Sequence, residues 1–174
     1  MPIAKEFLAE FEVQAPVTRK YLERVPEDKL TWKPHQKSMT AGQLALHIAL
    51  TPGRLLPFVQ NNPAMAPDFG NYSQPASRAE ILQAFDESVV SVRKLMPLLD
   101  DAAMKETWRM MAGDREVFAQ PRGEFLRNIL FSHVYQHRGQ LCVYLRLLDA
   151  PVPASWGPSA DEAPQFMQEP AAVA

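Results

Sequence analysis

From Leu126 to Leu148 the chain repeats apolar and imidazole side chains at steps of four and three: Leu126, Leu130, His133, His137, Leu141, Tyr144 and Leu148. Only a helix brings such a series onto one face, here over roughly seven turns. A stripe that long has to be covered by other helices. Pro121 precedes the run, and Asp149-Ala-Pro-Val-Pro153 ends it. For 174 residues, the expectation is one domain built as an antiparallel helical bundle.

The rest of the chain supplies partners for that helix. Phe7, Phe11, Ala15, Thr18, Leu22 and Val25 follow the same periodicity between Ile3 and Val25, with Pro16 predicting a kink. Thr40-Ala-Gly-Gln43 reads as a capping box that opens a second helix through Leu44, His47, Ile48, Thr51 and Leu55. Pro52, Gly53 and Pro57 predict distortion in its later half. Asn61 to Pro75, rich in Asn, Pro, Gly and Ser, reads as a surface loop. Ser77-Arg-Ala-Glu80 is a second capping box; its helix carries Ile81, Phe85, Ser88, Val92, Leu95 and Leu99, and Asp100-Asp101 closes it. A turn signal at Gly113 leaves a short hairpin open within Glu106–Phe118. The fold class expected is therefore all-α, a four-helix bundle with that hairpin as an option, spanning residues 1–162, and 163–174 as a flexible tail.

Composition removes several function classes. Lys and Arg total 18 against 20 Asp and Glu, so no broad basic face offers itself to nucleic acid. Apolar runs are broken well short of the ~20 residues of a membrane span, and acids interrupt the first ten residues where an export signal needs an apolar run. A single cysteine, Cys142, forms neither a disulfide framework nor a cysteine cluster. These features predict a cytoplasmic protein with no nucleic-acid or membrane partner.

Chemistry concentrates in the histidines. His133 and His137 project from one helix face a turn apart, and His47 stands on the apolar stripe of another helix. Isolated histidines on an apolar face are commonly core residues, whereas bundles also build metal sites from inward-facing side chains on neighbouring helices. Three neutral imidazoles suit Zn, Ni, Cu or Fe and leave coordination positions open. His35 sits in a Pro-flanked surface loop. Cys142 is rotated off the ligand face and reads as a packed thiol, and Tyr144 shares that face. Gly139, mid-helix, predicts close approach of another helix within the chain or across a dimer, and Arg138 reads as structural, paired with a carboxylate.

The run His133-Val-Tyr-Gln-His137-Arg-Gly-Gln-Leu-Cys-Val-Tyr-Leu-Arg, followed by Leu-Asp-Ala-Pro-Val-Pro153, resembles the last-helix signature of the DinB family. Gln43-Leu-Ala-Leu-His47-Ile-Ala resembles that family's second-helix motif more loosely. Trp156-Gly-Pro-Ser-Ala-Asp161-Glu162 is similar to its tail, with Trp where Tyr is more familiar. The resemblance implies a DinB/YfiT-like four-helix bundle, commonly a homodimer, with a divalent metal on His47, His133 and His137, zinc or nickel being expected. Related proteins include thiol S-transferases using bacillithiol or mycothiol and a mycothiol-dependent maleylpyruvate isomerase. Two readings follow: a metal-dependent transferase or hydrolase acting on a small molecule, with a low-molecular-weight thiol as an optional cofactor, or a non-catalytic metal-binding stress-response or ligand-binding module. Catalytic residues beyond the metal ligands are not identified. The open face of the metal is expected to form an apolar pocket lined by the first, second and last helices and the Asn61–Pro75 loop.

Overall fold

Four long helical stretches carry the core in a computed structural model that describes residues 1–68, 70, 72–164 and 167. Helix α1 (Ile3–Glu23) buries Phe7, Phe11, Ala15, Thr18 and Leu22 and continues through Pro16, which is exposed. Helix α2 (Ala41–Gln60) opens on the predicted capping box: Thr40 Oγ1 accepts the Gln43 N–H at 3.1 Å, and Gln43 Oε1 accepts the Thr40 N–H at 3.0 Å. It too runs on past its prolines, Pro52 and Pro57. The pairing of α2 with α3 (Arg78–Leu95) explains why a glycine stands between them, since a Cβ at Gly53 would lie 2.5 Å from Ser88 Oγ and 2.8 Å from Ser88 Cα. Small backbone-to-backbone spacing holds the two helices together there.

The α3 cap differs from the expected reciprocal box. Ser77 Oγ accepts the Glu80 N–H at 3.1 Å, but the Glu80 carboxylate turns back to the Ala76 N–H at 2.7 Å. Asp100 does not close α3. A 3₁₀ turn, Met96–Leu98, does so, and Asp100 instead caps a new short helix, α4 (Asp101–Lys105), by accepting the Ala103 N–H at 2.7 Å. Asp101 Oδ1 accepts the Ile3 N–H at 2.9 Å, tying α4 to the start of α1.

The hairpin is present, and it corrects the all-α expectation. Strands β2 (Thr107–Ala112) and β3 (Arg115–Pro121) pair antiparallel around Gly113, whose φ of +60° needs a residue without a Cβ, as in a type II′ turn. A register shift between Met110 and Met111 marks a bulge. A two-residue strand, β1 (Ala64–Met65), joins β2 in parallel, so the segment read as loop contributes to a three-stranded sheet. Trp108 fixes the sheet to the helices. It is fully buried, stacks on Phe125 at 4.4 Å, meets Phe58 edge-on at 5.3 Å, and donates its indole N–H to the Asn61 carbonyl at 2.8 Å.

The last helical stretch comprises α5 (Arg122–Arg127), a π-helical turn (Asn128–His133) and α6 (Val134–Leu147). The sequence periodicity predicts an unbroken α-helix; the π turn re-phases it just before the histidine pair, as π segments often do at functional sites. A Schellman-type ending follows, with the Ala150 N–H on the Leu145 carbonyl at 3.0 Å, the Asp149 N–H on Arg146 at 3.2 Å, and Asp149 at φ +55°. Helix α2 packs against α3 and α6, and α1 against the same two, so the four stretches enclose one core.

Two expectations about the last helix are corrected in part. A Cβ at Gly139 would meet nothing within 4 Å among the described residues, so the close approach expected there is not made by a helix of the same chain, which leaves the alternative of a second chain. Arg138 is buried as a structural residue, but its partners are neutral: Gln14 Oε1 at 2.9 Å, Thr18 Oγ1 at 3.2 Å and the Tyr135 ring at 5.0 Å. The nearby carboxylate of Glu10 is taken by the Tyr135 hydroxyl at 3.0 Å and by Arg127 at 3.3 Å. Burial beside Glu10 pushes the Tyr135 phenol well above its usual range. The segment after α6 is anchored rather than loose. Asp161 accepts from Arg146 at 2.6 Å and from the Val152 N–H at 2.8 Å, and Glu162 reaches Arg24 and the Ala154 N–H. Of the expected tail, 163, 164 and 167 are described, and the other residues lie outside the described set.

Candidate functional site

Two helices deliver the three histidines to one point. His47 lies mid-way along the first half of α2, where the capping box fixes the helix start and hence the phase of the face it occupies. His133 ends the π turn, and His137 follows one turn later on α6. All three are half-buried, and their candidate ligand nitrogens lie within 4.8 Å of one another. The His47 and His133 Nε2 atoms are 2.9 Å apart, and the rings meet edge to face with centroids 4.3–5.1 Å apart.

Burial disfavours the charged form of His47 and His133. Burial first, then the neighbouring histidines and Arg54, hold His47 down at about 4, and burial with His137 also lowers His133. Two nitrogens at 2.9 Å can share a proton or turn their lone pairs to a common cation. Depressed pKa values disfavour the added proton and fit the cation. Zinc–imidazole bonds are about 2.0–2.1 Å, so one ion can reach both nitrogens across that gap. The donor set, three borderline nitrogens with no thiolate or carboxylate among them, suits a borderline divalent cation such as zinc, copper, iron or nickel.

A supporting contact, unassigned by the sequence reading, fixes one tautomer. His137 Nδ1 lies 2.7 Å from Gln140 Oε1. An amide oxygen only accepts, so Nδ1 carries the proton and Nε2 keeps its lone pair for a cation. The spacing of three on a helix is the signal that finds it. On the other side, Tyr72 sets its ring edge-on to His47 at 5.4 Å. Gln43 holds that segment: its Oε1 completes the helix cap, while its Nε2 donates to the Tyr72 carbonyl at 3.0 Å.

A cavity of about 380 Å³ opens from His47 and His133, large enough for a small organic molecule. Leu46, Leu50, Leu55 and Phe58 of α2 form one wall, and Phe125 and Ile129 form another. Pro67, Asp68, Tyr72 and Ser73 come from the segment after Asn61, as expected, and Met110 of β2 completes the floor. Two details correct the sequence expectation. No residue of α1 lines the cavity; the hairpin takes that place, because the Trp108–Phe125 stack carries β2 against α5. The walls also hold two charged residues, Arg54 and Asp68, where a nearly uncharged lining was expected. Tyr144 does not join the histidines: its hydroxyl donates to the Met39 carbonyl at 3.3 Å and its ring packs on Trp32. His35 is exposed, and Cys142 is a free, partly buried thiol packed against the core.

The comparisons with known proteins agree with this architecture. A family profile described as the DinB superfamily matches residues 10–141. Among solved structures, a DinB-like protein from Bacillus cereus is 21% identical with a TM-score of 0.67, covering 87% of this chain and 96% of that one. The DinB-like protein YjoA from Bacillus subtilis is likewise 21% identical, with a TM-score of 0.61 and coverage of 86% and 96%. At that identity the two structures speak to the fold alone. Among curated proteins, none matches the sequence. Since the family profile spans well over half of the residues, from within α1 to Leu141 beyond the histidine pair, the chain belongs to the DinB superfamily.

Proposed function

We propose that the chain holds one divalent cation, zinc or nickel, through His47, His133 and His137, and carries out a metal-assisted transfer or hydrolysis on a small molecule in the adjoining cavity. In the transferase form a low-molecular-weight thiol is the nucleophile. The observation that carries the reading is the meeting of three half-buried imidazoles, two of which, His47 and His133, line a largely apolar cavity. When bound, such a cation is a Lewis acid that lowers the pKa of a thiol or water. Three protein donors leave room for that group, whereas closed structural zinc sites take four. Gln140 orients His137, and the apolar walls of α2 and α5 exclude water from a reacting molecule. Asp68 is the acidic residue on those walls and the candidate to accept a proton.

The same reading places the protein in the cytoplasm as a homodimer; exposed Val143 and Leu147 beside Gly139 offer an outer face for it, and sedimentation of the purified chain tests that. The central test is elemental analysis of protein purified without added metal. Wild type is expected to carry close to one ion per chain, and His47→Ala and His137→Ala far less. Equal metal content in all three overturns the metal site. Thiol consumption by the metal-loaded protein across several electrophiles, and release from simple esters, then separates an enzyme from a non-catalytic binding module.

A further inference from the structure

We propose that Arg54 makes this cavity selective for molecules that combine an apolar body with a carboxylate, the carboxylate being held by the Arg54 guanidinium. The inference rests on reading the cavity as the substrate site, and it names the class of molecule that site takes. Arg54 follows His47 by seven residues on α2, which returns it to nearly the same helix face roughly 10 Å further along the axis. Both residues line the cavity, with Leu50 and Thr51 between them on the same wall. An occupant reaching from the histidines to Arg54 therefore crosses an apolar stretch before it meets a cation.

What singles out Arg54 is the combination of its place on the cavity wall and its lack of a carboxylate partner. Most surface arginines of this chain are paired with carboxylates, among them Arg19 with Asp86, Arg93 with Glu12 and Arg146 with Asp161. Arg115, exposed at the hairpin turn, has no such partner among the described residues either, but it lies outside the cavity. Among the described residues Arg54 makes no hydrogen bond and no ion pair. Asp68, across the same cavity, is not its counter-ion; its Oδ1 accepts the Gly70 N–H at 3.0 Å within its own turn. A guanidinium at the mouth of an apolar cavity presents parallel N–H donors that match the two oxygens of a carboxylate, and apolar surroundings strengthen that contact. A neutral amide of the same shape offers one acceptor and no charge.

Titration calorimetry of the metal-loaded protein with octanoate and octanamide tests the assignment. Wild type is expected to bind octanoate at least about tenfold more tightly than octanamide, as a charge-assisted contact predicts. Arg54→Met is expected to abolish that ratio while octanamide binds as before, and Arg54→Lys to keep part of it. An octanoate preference that survives in Arg54→Met places the carboxylate elsewhere, on the metal for example, and overturns the proposal. Equal binding of the two ligands by wild type, or binding of neither, overturns it as well. Metal content measured on the same samples keeps the two readings apart: failure of the histidine site appears as wild type without metal, failure of this one as metal-replete protein without carboxylate preference.

Discussion

Replacing Gly53 by alanine tests whether the close contact of α2 with α3 is what sets the histidine wall. The added Cβ would stand 2.5 Å from Ser88 Oγ, 2.8 Å from Ser88 Cα and 2.9 Å from Ser88 Cβ. Carbon contacts below 3.0 Å are not tolerated, and one of these atoms is backbone, so rotation of Ser88 cannot relieve the clash and the helices must separate. Forcing a methyl group into a packed interface costs about 1–3 kcal/mol. Alanine returns up to about 1 kcal/mol of helix propensity. The net expectation is a loss of about 1–2 kcal/mol, or a fall in Tm of roughly 2–8 °C for a chain of this size. Urea unfolding with an unchanged slope is the assay. Ser88→Ala added to the variant removes the Oγ contact but leaves Cα and Cβ in place, so it rescues only in part. A Gly53→Ala protein as stable as wild type, or a full rescue by Ser88→Ala, refutes the backbone-contact argument. Arg54 and His47 ride on the same helix, so the variant is also expected to weaken metal retention.

Gly139→Ala is expected to do the opposite and raise stability by up to about 1 kcal/mol, because none of the described residues stands within 4 Å of the new methyl; a loss of stability or of association in sedimentation would put a second chain on that face. Gln140→Ala is expected to weaken metal binding by about tenfold to a hundredfold in a competition titration, since it frees the His137 tautomer, whereas unchanged affinity would remove Gln140 from the site. The metal-free protein should lose stability as pH falls from about 6.5 toward 4. His47 and His133 have folded pKa values below the ordinary 6.5, the unfolded chain therefore takes up more protons in that window, and the contribution is fully present only above it. Urea midpoints across that range check the sign, and a flat profile in wild type, or the same slope in His47→Ala, counts against it.

Much of this fold was legible because helical signals are local. The caps at Thr40 and Ser77, the periodic stripes of α1 and α3, and the i, i+4 histidines each depend on residues within a turn or two. The failures are non-local or depend on geometry that residue types do not encode. Asp100 is equally good as a stop and as a cap, and only the backbone chooses. The π turn at 128–133 leaves the sequence stripe almost unchanged while it re-phases the helix. Gly139 by its helix position suggests a contact within the chain or across a dimer, yet within the chain the glycine at a helix–helix contact is Gly53, which the prolines around it mark only as a weak point.

The site divides the same way. His133, His137 and Gln140 share one helix, so spacing alone relates them, and His47 is reachable by its place on a second apolar stripe. The cavity beside them was legible in part: α2, the last helix and the segment after Asn61 line it as expected, but its floor comes from the hairpin, an element distant in sequence. Trp108 carries β2 onto Phe125, which brings Met110 into the lining, and Gln43 holds Tyr72 over His47 with the amide left over from its capping bond. The second of these links has a physical economy: one side chain starts the helix that bears His47 and also fastens the segment that covers it. Local order at the start of α2 and the shape of the cavity are therefore coupled through Gln43. Gln43→Ala removes both hydrogen bonds, so amide exchange at the start of α2 and around Tyr72 should quicken together. Gln43→Glu keeps the acceptor for the Thr40 N–H, loses the donor to Tyr72 and should loosen the Tyr72 wall alone; equal exchange in both variants and wild type refutes the coupling.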